Sequence, residues 1–147
     1  MRKTRLAKKG KSETAIIKRR IQALVREIVI VRDGGCILRN VDGITPCSSQ
    51  ETKDGHLVLQ ADHLVTRSKN VGFAETRLII CLCEGHHLAK TFKMKEEYEG
   101  YIRHLIGPER AKLWDDTKND RKIYPMGAHE WGNVELALKQ ELKKLTI

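Results

Sequence analysis

Asp62 and His63 stand side by side at the end of a short apolar run, and His87 follows behind a second apolar run. A carboxylate and an imidazole together can hold a hard or borderline divalent ion and leave positions open for phosphate oxygens. In that arrangement Asp62 and His87 are the ligands, and His63 remains as general base. The work suits a side chain that ordinarily titrates near ~6.5. An adjacent Asp-His pair is usually a structural hydrogen bond, so the reading leans on its context. That context is a strand, the Asp-His pair, a long loop, a second strand, a metal-gripping turn, and a histidine that starts a helix.

The gripping turn is a second feature. Cys83 and His86 are separated by two residues, a spacing that lets both hold one tetrahedral ion. Cys36 and Cys47, on the turn-rich stretch before the first strand, can supply the remaining ligands of a structural zinc site, although their separation is wider than the usual knuckle gap. Plain burial of the thiols is the competing reading. Cys81 lies two residues before Cys83 and on a strand would share its face. It reads as a core residue, with replacement of Cys83 or His86 as the other option. The basic N-terminus is not followed by an apolar block with a cleavage site, so no secretion signal is expected and the chain is assigned to the cytoplasm. Disulfides are then not expected.

The charge balance points to a polyanion. Lys and Arg number 28 against 19 Asp and Glu, a net charge of +9, and each phosphate neutralised releases condensed counterions. Arg67, Lys69, Arg77, Lys90, Lys93 and Lys95 are the basic residues nearest the Asp-His pair and are candidate phosphate contacts, though a solvated face is the ordinary reading for each. Residues 1–11 carry six basic side chains and no acidic one, and read as a disordered arm or a solvated tail. No apolar run approaches the ~20 residues of a membrane span, so no membrane partner is expected.

The elements that must position these residues can be read from periodicity. Ser12 can cap a helix whose apolar face is Ile17, Ile21, Leu24, Val25 and Ile28, ending at the turn signal Asp33-Gly34-Gly35. A strand is expected over 56–61 and a second over 78–82, with polar, irregular chain between them. A helix follows His87. Met94, Tyr98, Tyr101, Ile102 and Leu105 predict another helical face, Pro108 opens the next helix with Leu113 and Trp114, and a last helix over 131–145 turns Val134, Leu138, Leu142 and Leu145 inward. The expected organisation is the arm 1–11 and one domain over 12–147, with a core at about 30–95 and a helical extension over 96–147.

At residues 59–68 (LQADHLVTRS) and 77–90 (RLIICLCEGHHLAK) the sequence resembles the HNH, or ββα-metal, nuclease family. The family pattern has Asp-His or His-His, an Asn further on, and a Cys-x-x-Cys-His knuckle. His63 falls on the base, Asp62 and His87 on the metal ligands, and Cys36, Cys47, Cys83 and His86 on the zinc knuckle, His86 standing where a second Cys is usual. The resemblance implies an α+β fold with a zinc-stabilised ββα-metal core and flanking helices. It also implies hydrolysis of DNA with Mg2+ or Mn2+ at the catalytic site, structural Zn2+, and products with 5′-phosphate and 3′-hydroxyl ends. Residues 106–110 and 126–132 are similar to segments of small bacteriophage HNH proteins, which would place the chain in a bacterial host. The family's middle Asn falls at Leu78, which cannot make its hydrogen bonds; Arg77 and Asn70 are the candidate substitutes. Two alternatives stand beside the nuclease: a zinc-stabilised DNA-binding module without catalysis, and a structure-selective nuclease acting on recombination junctions.

Overall fold

A computed structural model describes residues 12–48, 58–66, 69–122 and 124–147. The basic arm, Arg67 and the first residues of the expected strand at 56–61 lie outside that set. Helix α1 (Glu13–Asp33) starts where Ser12 Oγ accepts the Ala15 N–H at 3.2 Å. It stops at Gly34, whose φ of 68° is left-handed backbone that glycine enters without steric penalty. Strand β1 (Leu59–His63) is followed by a one-turn helix α2 (Asn70–Phe73), a 3-10 turn (Thr76–Leu78) and strand β2 (Ile79–Cys83). Helices α3 (Glu84–Phe92), α4 (Lys95–Ile106), α5 (Pro108–Asn119) and α6 (Ala128–Leu145) complete the chain. The fold is therefore α+β, with helices around a small two-stranded sheet.

β1 and β2 pair antiparallel, with Asp62 opposite Ile80 and His63 opposite Ile79. Every residue of β2 is buried, which explains why its sequence is continuously apolar rather than alternating. Its two faces serve two cores. Ile79 and Cys81 pack with Ile17, Ile21, Val25 and Ile28 of α1 and with Trp131 and Leu138 of α6. Ile80 and Leu82 pack instead with Tyr98 and Ile102 of α4 and Trp114 of α5. The strand is thus the partition on which the asymmetric halves are built. Its end is tied to α1: Arg32 donates to Thr76 O and Ile79 O, both at 2.6 Å, while the Cys81 N–H donates to Asp33.

Several expectations are corrected. β1 runs through Asp62 and His63 instead of ending before them, and the stretch between the strands carries α2 and the 3-10 turn. Met94 and Leu105 remain exposed, as does Leu145. The buried stripe of α6 is Trp131, Glu135 and Leu138, with Val134 and Leu142 only partly covered. A charged residue sits in that stripe because Glu135 accepts two hydrogen bonds from Arg20 of α1, at 2.7 and 3.1 Å. That pairing holds the Glu135 carboxyl below its usual value. Among the described residues, no helix is long and apolar enough to cross a membrane.

Candidate metal centre and acid-base site

Three separate pieces of chain meet at the cysteine cluster. Cys36 comes from the stretch just after α1, Cys47 from the loop that follows, and Cys83 and His86 from the junction of β2 with α3. Their ligand atoms all lie within 4.8 Å of one another. His86 Nδ1 is 3.3 Å from Cys36 Sγ, 3.8 Å from Cys47 Sγ and 3.3 Å from Cys83 Sγ. Around a tetrahedral zinc, ordinary Zn–S and Zn–N lengths place neighbouring S and N atoms about 3.5 Å apart. The spacing fits one ion.

The histidine is prepared for that role. His86 Nε2 lies 2.6 Å from Thr45 O. A carbonyl can only accept, so the neutral ring carries its proton on Nε2 and turns the Nδ1 lone pair toward the three sulfurs. Tyr98 packs edge-on against the same ring. Burial pushes the Cys36 thiol up to about 12 and raises Cys47 as well. Burial also acts to raise Cys83, but hydrogen bonds from the His86 and Ser48 backbone outweigh it and leave this thiol lowered. Cys83 Sγ caps α3 by accepting the His86 N–H at 3.4 Å. A cluster of this kind could hold a metal such as zinc. Cys81 stays out of it and packs against α1, because the strand's alternation is broken at Cys83, where the chain turns into the helix.

On the other side of the sheet end, Asp62 is buried and faces α3. One of its carboxylate oxygens lies 3.7 Å from His87 Nδ1, and the other lies 3.0 Å from Lys90 Nζ. Neither contact satisfies the atoms completely: Asp62 Oδ2 and His87 Nδ1 are buried with no hydrogen bond of proper geometry. Buried polar atoms left in this state are uncommon, since each forfeits its hydration. The Asp62 carboxylate and the His87 imidazole nitrogen, 3.7 Å apart, are a donor pair suited to a divalent cation. His63 is on the opposite face of β1, as strand alternation requires. Its Nε2 lies 3.1 Å from Phe73 O, so the neutral ring carries the proton there and its lone pair on Nδ1. Asp62, His63 and His87 together line one open cavity of about 410 Å3.

The loop behind His63 is held by backbone. The Leu64 N–H donates to Leu78 O at 2.9 Å, so the residue standing where the family has Asn closes the loop through its carbonyl. The Leu78 side chain is only 1 % exposed and packs with Ile80 and Trp114. Neither candidate substitute reaches the site. Arg77 is exposed and pairs with Glu75, while Asn70 donates to Tyr124 O at 2.6 Å. Gly72 matters to the same loop: a Cβ there would stand 3.1 Å from Val65 O and 3.2 Å from Thr66 O. Leu78→Asn is expected to lower stability by about 3 kcal/mol without raising activity, because it removes apolar packing and buries an amide among hydrocarbon. Urea denaturation beside an activity assay checks both halves of that expectation.

The predicted phosphate contacts have different surroundings. Lys90 is buried on Asp62. Lys69 donates to Lys118 O and Asp120 O, both at 3.0 Å, capping the end of α5. Lys93, just past α3, and Lys95, at the start of α4, are exposed. Sequence reasoning passed over Thr45 and Phe73, whose backbone carbonyls select the two tautomers and leave no mark in residue type. It also passed over Lys118, which α5 carries into the site's surroundings. Comparison of the chain with family models, curated proteins and solved structures returned no match in any of the three.

Proposed function

We propose that this chain is a metal-dependent DNA endonuclease of the HNH type, hydrolysing phosphodiester bonds with little regard for base sequence. The observation that carries the reading is the approach of the Asp62 carboxylate to the buried His87 Nδ1, which has no hydrogen bond, at 3.7 Å on a cavity that both share with His63. Mg2+ or Mn2+ held by Asp62 and His87 supplies polarisation of the phosphoryl group and stabilisation of the departing oxygen. His63 Nδ1 takes a proton from the attacking water, and the Nε2–H bond to Phe73 O keeps the ring oriented. The water oxygen bonds to phosphorus as the 3′ oxygen leaves and takes a proton from solvent, giving 5′-phosphate and 3′-hydroxyl ends. Lys90 holds the second carboxylate oxygen of Asp62 in place.

The cluster of Cys36, Cys47, Cys83 and His86 holds structural Zn2+ in this reading and contributes to folding rather than to chemistry. The net charge of +9 supplies the attraction to DNA. A second reading, a zinc-stabilised DNA-binding module, draws on one observation: the Lys90 ammonium already offers Asp62 a cation. Duplex DNA incubated with zinc-loaded protein separates the two. The nuclease yields fragments in Mg2+ or Mn2+ whose ends ligate directly, and none when those ions are withheld. The module binds the duplex and leaves it whole in every ion.

A further inference from the structure

A second cavity, of about 340 Å3, adjoins Asp62 and His63 on the side of the helical extension. Its walls come from β1 and the chain after it, α3, the first turns of α4 and the last turns of α5, and they bring Lys95 and Lys118 together with Lys69 and Lys90. Glu99 is its one acidic side chain besides Asp62. Lys69 and Lys90 are engaged, the first on the carbonyls that end α5 and the second on Asp62. Lys95 and Lys118 form no ion pair among the described residues. Both lysines are exposed, so each can meet a phosphate without first giving up an ion pair.

The end of α5 strengthens the argument. The carbonyls of a helix C-terminus carry partial negative charge and repel an anion. Lys69 covers them here, and the adjoining turn is stitched by Tyr124 Oη donating to Asp120 at 2.6 Å and by Asn70 donating to Tyr124 O. Those bonds fix Lys118 beside the site loop. The volume is at the small end for a ligand site and suits a sugar-phosphate unit better than a base pair.

We propose that this recess seats a second phosphate of the bound DNA strand, adjacent to the one cut, and that Lys95 and Lys118 receive it. The proposal rests on the nuclease reading and makes α4 and α5 part of the substrate path. The test is fluorescence anisotropy of a labelled duplex with zinc-loaded His63→Ala protein, without Mg2+ or Mn2+, over a series of salt concentrations. Lys95→Ala and Lys118→Ala are each expected to flatten the slope of log Kd against log salt by ~0.9, and the pair by about twice that. Lys139→Ala and Lys143→Ala, on α6, leave the slope unchanged, and circular dichroism checks that each variant is folded. An unchanged slope for Lys95→Ala and Lys118→Ala, with the duplex still bound and still cut by the wild type, overturns the second seat and leaves the nuclease standing. Failure of every protein to bind duplex removes both.

Discussion

Cys36→Ser, or stripping of zinc by a strong chelator, is expected to abolish the cooperative folding of the half of the molecule that carries Asp62 and His87. Among the described residues, Cys36 and Cys47 belong to a stretch with no helix or strand, and the cluster joins it to the end of β2 and the start of α3. Structural zinc contributes about 10–16 kcal/mol in small zinc-folded peptides, whereas a whole domain is stable by only about 5–15 kcal/mol. Loss of an ion held there would therefore be comparable with the whole margin. Wild-type protein is expected to carry one zinc per chain and to melt in a single transition. The variant should keep α1 and α6 helicity but lose that transition.

Stability should also depend on pH through the cluster. Zinc needs thiolates, and burial without an ion holds the Cys36 thiol up to about 12, so proton and metal compete for the same sulfurs. Zinc-loaded protein should thus weaken as pH falls, by thermal melting at each pH.

The second large effect concerns Asp62 and Lys90. Asp62→Ala is expected to abolish cleavage and also to cost about 3–5 kcal/mol of stability, because it strands a buried ammonium without its partner. Asp62→Ala combined with Lys90→Met removes both charges, and stability should return while activity does not. Chemical denaturation of the two single variants and the pair measures the coupling. Instability that persists in the pair would show that Asp62 matters to the fold through something other than Lys90.

Much of this arrangement is legible in the chain. Ser12, the apolar recurrence over Ile17 to Ile28, and Gly34 delimit α1 because caps and periodicity are local properties. The spacing of Cys83 and His86 announces a cluster that could hold an ion for the same reason. What escapes is whatever depends on elements meeting. Lys90 looks like any surface lysine until α3 is laid against Asp62, and Lys69 looks like a phosphate contact until the end of α5 arrives beside it. Glu135 interrupts the apolar stripe of α6 because its partner, Arg20, is on a helix far away in sequence. Leu78 is legible as a departure from the family pattern. The bond that its backbone carbonyl accepts from the Leu64 N–H is one that no residue type announces.

The central claim is that His63 activates water beside a cation held by Asp62 and His87. The most direct measurement is the conversion of supercoiled plasmid by zinc-loaded wild type and His63→Ala, in Mg2+, in Mn2+ and with neither. Nicked or linear plasmid is expected from the wild type with either ion, with the rate reduced by about 10²–10⁴ in His63→Ala, the range over which a positioned acid-base group contributes. Equal rates for the two proteins, or plasmid that is bound and left supercoiled in every ion, would contradict it.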